Sequence, residues 1–256
     1  MPGTLYLVST PIGNAEDMTL RALRILKAVR FIAAEDPCVT KPLMEHHAID
    51  TPLTTYHGGI KEQVTPLILR RLEEGDDVAL VVDAGTPTVA DPGAYLVAQA
   101  LASGIPVRSL PGPSAVIAGL PLAAMPCEQF VFFGVFPRQR AARDQLLAQL
   151  RRERRTAVLF LEGALRKALQ VFGPALGRRR AALVQDATMP GERVIHGALR
   201  DVLPQIDGVR HHQRLTLIIE GTTGAGRGPR PGKKKGRGQR SARRRISTRK
   251  ASAHRS

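Results

Sequence analysis

Short apolar runs alternate along this chain with segments whose apolar residues recur every three or four positions. The runs at 5–8, 31–34, 53–56, 78–82 and 107–110 have strand length and few charges. Between them lie helical patterns. One starts near Thr19, with Leu20, Leu23 and Leu26 beside Ala22, Ile25 and Val29. Asp17 or Thr19 can cap it. A short helix is predicted at 42–47, another at 61–74 stopped by Gly75, and a third at 95–102 stopped by Gly104. Residues 115–124 are small and apolar and read as a packed helix. The pattern restarts after Pro126, with strands at 130–133, 157–161, 181–184, 193–196 and 215–219 and helices at 144–151 and 165–172. Strict alternation in the first half predicts a largely parallel sheet. The strand-rich second half suits antiparallel neighbours. The expected architecture is α/β: one domain over 1–118, a second over 119–221, and a cleft between them.

Three strand ends break the pattern in the same way. They are Thr10-Pro-Ile-Gly-Asn14, Asp83-Ala-Gly-Thr-Pro87 continuing to Asp91-Pro-Gly93, and Pro111-Gly-Pro-Ser114. An ordinary βα turn takes about two to six residues, and the segment from Asp83 to Gly93 exceeds that. Glycine clears side chains where a ligand must approach the backbone, and proline stiffens the loop while removing a donor. Such loops at the carboxyl ends of strands are where open α/β sheets bind ligands. The three loops are therefore expected to line the cleft.

The net charge of +16 changes meaning once it is located. Residues 222–256 hold 13 of the 38 Lys/Arg and no Asp/Glu, so the first 221 residues carry only +3. This tail is rich in Gly, Arg, Lys and Ser and nearly free of large apolar side chains, so it is expected to be disordered and to attract phosphate backbones without reading sequence. No apolar run reaches the roughly 18 residues of a membrane span. Two cysteines, Cys38 and Cys127, make no disulfide framework and suit a cytoplasmic protein. Common signatures are missing: there is no phosphate-binding G-x-x-x-x-G-K-[ST], no G-x-S-x-G elbow and no zinc spacing, so no metal is expected. With no Trp, three Tyr and seven Phe, an aromatic platform for single-stranded nucleic acid is not supported. Arg138, Arg140 and Arg143, together with the tail, are the candidate phosphate contacts.

Five blocks in order resemble one family: Thr10 to Asn14, Thr19 to Leu23, Ala33-Ala-Glu-Asp36, Asp83 to Gly93, and Pro111 to Ala115. The chain resembles the tetrapyrrole methylases, the class III S-adenosylmethionine methyltransferases. Among them it is similar to the ribosomal small-subunit RNA methyltransferase I family, from about Gly3 to Gly221. The resemblance implies S-adenosyl-L-methionine as cofactor and methylation of a cytidine ribose 2′-oxygen in the decoding region of 16S rRNA. It also implies two α/β domains with the cofactor in the cleft, usually in a homodimer, and rRNA or the small ribosomal subunit as partner. It places Pro11, Gly13, Asp83, Ala84, Gly85, Thr86, Pro87, Pro113 and Ser114 near the cofactor.

The cofactor side of the family pattern is intact and the substrate side departs from it. After Glu35-Asp36 the family continues Thr-Arg-His-Thr, where this chain has Pro37-Cys38-Val39-Thr40. The family's Glu-Ser-Pro-His-Arg appears as Glu162-Gly-Ala-Leu-Arg166, and its Glu-Leu-Thr-Lys-x-His-Glu as Asp186-Ala-Thr-Met-Pro-Gly-Glu192. Arg, His and Lys are replaced where a polyanion would be gripped. Glu162, Arg166 and Glu192 are candidates for an ionic cluster across the cleft. Two alternatives stay open: a small tetrapyrrole-like acceptor, or a non-catalytic ribosome-associated paralogue. A ribose hydroxyl is a weak nucleophile and gains from a general base. Asp36 and Glu35, carboxylates at a strand end, are the candidate bases, with His57 next. Their structural alternative is to cap the following helix or to pair with Arg166.

Overall fold

The computed structural model describes residues 1–161, 165–206 and 215–222. The predicted disordered tail therefore lies outside the described residues, as do Glu162 and the Arg166 side chain. The first half runs β1 (Leu5–Val8), α1 (Leu20–Ala28), β2 (Phe31–Ala34), α2 (Pro37–His46), β3 (Leu53–Thr55), α3 (Lys61–Glu73), β4 (Val78–Val81), α4 (Ala94–Ala102), β5 (Val107–Leu110) and α5 (Ala115–Leu122). The second half runs β6 (Phe130–Val135), α6 (Arg140–Arg152), β7 (Thr156–Phe160), α7 (Leu165–Leu176), β8 (Arg180–Gln185), β9 (Arg193–Ala198), α8 (Leu199–Val202) and β10 (Leu215–Ile219).

The first sheet has the order β3-β2-β4-β1-β5 and every pairing is parallel. All four residues of β4 are buried, as a central strand covered on both faces requires. One face packs Leu26, Ile32, Val81 and Met44 together, and the other packs Leu5, Ile68, Leu72, Leu80 and Leu96. The second sheet has the order β6-β7-β10-β8-β9. Only β6 and β7 run parallel, and the remaining pairings are antiparallel. Phe136, Leu150, Phe172 and Leu217 build its larger core.

Helix α5 follows the first sheet in sequence but packs against the second. Its Val116 and Leu120 share a cluster with Val158, Ala182, Val184 and Ile218 of the second sheet. The sequence-based division at 118/119 thus falls inside a helix that belongs by packing to the second sheet. Both sheets form one compact unit, Met1–Gly224. Among the described residues no helix is long and apolar enough to cross a membrane.

Two helix starts differ from the sequence expectation. Helix α2 begins at Pro37 rather than near 42, because the Asp36 side chain accepts from Cys38 N–H (2.8 Å) and proline occupies the first turn. Proline is favoured there, where its missing N–H has no helical partner anyway. Helix α6 begins at Arg140 rather than 144. Its first turn is all polar or small, so apolar periodicity has no purchase on it.

Candidate functional site

The first sheet has a crossing point. From β1 the chain moves over β4 to reach β2, and from β4 it moves over β1 to reach β5. Connections leaving two adjacent strands in opposite directions open a crevice beyond their carboxyl ends. All three glycine- and proline-rich loops leave strands at that end. Thr10 and Gly85 exchange two backbone hydrogen bonds, Thr10 N–H to Gly85 O (2.9 Å) and Gly85 N–H to Thr10 O (3.0 Å). The Thr10 hydroxyl donates to Val82 O (2.9 Å). The Ser9 and Thr86 hydroxyls are 3.0 Å apart, Ser9 Oγ donates to Leu110 O (3.2 Å), and Thr86 Oγ1 donates to Pro113 O (3.4 Å). The buried hydroxyls of Ser9 and Thr10 and the half-buried one of Thr86 therefore tie the three loops to one another. The loop after β4 also carries Thr88 at φ 74° and Ala90 at φ 66°, backbone positions that side chains disfavour.

A cavity of about 320 Å³ lies at the crossing, at the small end of ligand pockets. Thr10, Pro11, Ile12, Gly13 and Ala15 form one wall, and Val82 and Asp83 form the next. Helix α2 contributes Val39, Thr40 and Leu43, and the loop after β8 contributes Asp186 and Met189. That loop touches the first: Asn14 N–H donates to Thr188 Oγ1 (3.3 Å). Gly13 is a glycine because of this contact, since a Cβ there would stand 2.7 Å from Met189 Cγ and 3.0 Å from Ala187 O.

The ionisable groups lining the cavity are two carboxylates, Asp83 and Asp186, with no lysine, arginine or histidine. This lining favours a cationic ligand and disfavours phosphate. Thr40 is 3% exposed, and its hydroxyl has no hydrogen-bond partner among the described residues. An unpaired buried hydroxyl is costly unless a ligand completes it.

Of the residues predicted to lie near a cofactor, Pro11, Gly13 and Asp83 line the cavity. Ala84, Gly85, Thr86, Pro87, Pro113 and Ser114 do not line it; Gly85, Thr86 and Pro113 brace its wall through the bonds just given. Glu35, Asp36 and His57 are not in the lining either. Asp36 N–H donates to Asp83 Oδ1 (3.2 Å), and Asp83 N–H donates to Glu35 Oε2 (3.4 Å), so these carboxylates clasp the ends of β2 and β4. Asp36 Oδ1 is the α2 cap, the structural alternative to a catalytic role. His57 follows β3, where its Nδ1 accepts from Gly59 N–H (3.1 Å). Beneath it, burial pushes the Tyr56 phenol above its ordinary value, despite a hydrogen bond with Thr65. Glu192, a candidate ionic partner of Glu162 and Arg166, accepts from Thr188 N–H (2.8 Å).

Val39, Thr40, Asp186 and Met189 come from the two blocks that depart from the family pattern on the substrate side, and with Leu43 they line the cavity although none was named as a cofactor contact. The i, i+3 spacing of Thr40 and Leu43 marks one helix face, but not what that face meets. No local pattern announces Met189. Among the described residues, no group of three or more His, Cys, Asp or Glu is placed to hold a metal ion.

Comparison with known proteins agrees with this architecture. The family model for Tetrapyrrole (Corrin/Porphyrin) Methylases matches residues 4–203. Ribosomal RNA small subunit methyltransferase I of Halalkalibacterium halodurans is 38% identical over 221 residues, covering 86% of this chain and 76% of that protein. Its namesake from Pseudomonas aeruginosa is 40% identical over 222 residues, covering 85% and 78%. Among solved structures, uroporphyrin-III C-methyltransferase from Thermus thermophilus, complexed with S-adenyl homocysteine, aligns with a TM-score of 0.60 at 23% identity over 84% of this chain and 97% of its own. A diphthine synthase aligns with a TM-score of 0.66 at 15% identity, covering 85% and 90%. The chain belongs to the tetrapyrrole methylase family and, within it, to the ribosomal RNA small subunit methyltransferase I proteins.

Proposed function

We propose that this protein transfers a methyl group from S-adenosyl-L-methionine to RNA of the small ribosomal subunit, at the ribose 2′-oxygen of a cytidine. The observation that carries the reading is the cavity lining: two carboxylates and no cation, set at the convergence of side-chain-poor loops. S-adenosylmethionine carries a sulfonium and an ammonium against a single carboxylate, is net cationic and has no phosphate, so the two aspartates fit its cationic groups. Pro11, Gly13 and Asp83 would hold it at the cavity wall, with Asp186 opposite and the Thr40 hydroxyl supplying a hydrogen bond. Ala84, Gly85, Thr86, Pro87, Pro113 and Ser114 would shape the adjoining rim. When bound, the cofactor supplies an electrophilic methyl carbon.

The protein's own contribution is positional. Holding an acceptor oxygen in line with that carbon can supply about 7–11 kcal/mol in favourable cases. Asp36 is the first candidate to receive the hydroxyl proton, because the helix cap occupies Oδ1 and leaves Oδ2 for it. Glu35 and His57 are the alternatives. The relatives named ribosomal RNA small subunit methyltransferase I support RNA as the acceptor. A cytoplasmic homodimer acting on rRNA or the assembled small subunit completes the reading.

The test is incubation with radiolabelled S-adenosylmethionine and 30S subunits that lack their native methylation. Label is expected on a cytidine ribose of the 16S decoding region. Transfer to a tetrapyrrole and not to subunits would overturn the assignment.

A further inference from the structure

At the end of the second sheet opposite to the cavity, arginines are concentrated. Strands β7 and β8 start there and β10 finishes there. Four segments meet in this face and are bonded to one another. Arg179 donates through Nη1 to Leu150 O (2.6 Å) and through Nε to Glu220 O (2.6 Å). Arg200 N–H donates to Gly177 O (3.2 Å), and Thr222 N–H donates to Glu153 O (2.8 Å). The half-buried Arg179 is a bolt through the platform, its charge spent on carbonyls.

Around the bolt stand Arg151, Arg152, Arg154, Arg155, Arg178, Arg180 and Arg200, all exposed. Ion pairs join Glu153 to Arg155 (2.8 Å), Glu220 to Arg180 (3.4 Å) and Asp201 to Arg200 (3.4 Å). Among the described residues, no ion pair engages Arg151, Arg152 or Arg178. A groove of about 460 Å³ opens between the ends of α6 and α7, with Arg151, Arg178, Arg179 and Arg200 in its lining and no carboxylate. Its other lining residues are glycine, proline, alanine and leucine, which add no charge of either sign; Arg151 and Arg178 stand in it outside any ion pair among the described residues, while Arg200 shares its charge with the exposed Asp201.

We propose that this face is a second RNA-binding surface, one that grips phosphates and lies apart from the methyl-transfer site. Exposed guanidinium groups fit phosphate oxygens bidentately. Aromatic side chains are absent from the groove lining, so the contact reads backbone and not bases. The described chain ends at Thr222 on this face, and the sequence beyond it carries 13 Lys/Arg and no Asp/Glu. The surface complements the acceptor side, whose family pattern has lost Arg, His and Lys. A distal anchor would restore affinity for a large RNA particle without placing phosphate beside Asp83 and Asp186. The inference rests on RNA being the acceptor.

The test uses the full chain without cofactor, so that a failure of methyl transfer does not bear on it. Binding of a fluorescent oligouridylate is followed by anisotropy across a salt series. Arg151→Glu/Arg178→Glu/Arg200→Glu is compared with a control of equal charge change on α1, Arg21→Glu/Arg24→Glu/Lys27→Glu. Thermal melts confirm that both variants fold. The groove variant is expected to lose at least about tenfold in affinity, and its log K against log salt slope should fall by about 2, three contacts at about 0.7 each for single strands. The control should keep both. Equal losses in the two variants would reduce the effect to net charge and overturn the proposal, as would unchanged binding in the groove variant. Displacement of bound RNA by oligoglutamate but not by polyphosphate would overturn it in favour of an acidic protein partner.

Discussion

Gly13→Ala probes the place where the two sheets meet over the cavity. The added Cβ would stand 2.7 Å from Met189 Cγ, 2.9 Å from Met189 Sδ and 3.0 Å from Ala187 O. Met189 is 42% exposed and flexible, so it can rotate away. The Ala187 carbonyl is backbone and must shift by a few tenths of an ångström. Overpacking of this kind costs about 1–3 kcal/mol. With a yielding methionine, the folding cost should sit near the low end, at about 1 kcal/mol. Binding should suffer more, because a displaced Met189 turns within the cavity that it lines. A loss of about 1–2 kcal/mol corresponds to a Kd for S-adenosylmethionine raised about fivefold to thirtyfold. Titration calorimetry and a thermal melt measure the two effects separately. Gly191→Ala, in the loop after β8 and with nothing within 4 Å of the added Cβ, is the control and should change neither. Gly13→Ala/Met189→Ala should recover part of the affinity. Binding within about twofold of wild type in Gly13→Ala, a shift under about 0.5 kcal/mol, would refute the claim that this contact shapes the cofactor site.

Thr40→Val should separate binding from stability. It removes an unpaired buried hydroxyl, so the melting temperature should hold or rise, while cofactor affinity falls about two- to tenfold. A lower melting temperature with unchanged affinity would contradict this. Asp36→Ala removes the α2 cap and should cost about 0.5–2 kcal/mol in urea denaturation, whereas Asp36→Asn caps as well as aspartate. If Asp36 is the base, Asp36→Asn keeps the stability and still loses about 10²–10⁴ in kcat; full activity in it would shift the role to Glu35 or His57. Glu153 titrates at about 2 against an ordinary 4.5, held down first by its hydrogen bond to Arg155. A depressed folded-state value stabilises above about pH 4.5 and loses that contribution as pH falls toward 2. Glu153→Gln should therefore flatten the pH dependence of unfolding in that window, and an unchanged slope would show that Arg155 does not hold the carboxylate.

Local chemistry makes much of this protein legible in the order of its residues. Apolar periodicity locates the strands, because each must bury its side chains whatever its neighbours are. Glycine and proline mark the three ligand loops, because backbone geometry is a property of the residue itself. Asp36-Pro37 also carries its cap in plain view, although apolar spacing alone points to 42–47. What local pattern does not supply is which loop ends stand side by side. The Thr10–Gly85 bridge joins residues far apart in sequence, and strand order alone brings them together. Thr40 and Met189 look like ordinary helix and loop residues until α2 and the loop after β8 close over the same space. The arginines at 151–155, 178–180 and 200 are scattered charges in the chain and become one face only when β7, β8 and β10 align their ends. Composition and backbone preference act over a few residues and are written in order. A cavity wall or a charged surface depends on contacts between distant segments, and only the packed sheets decide those.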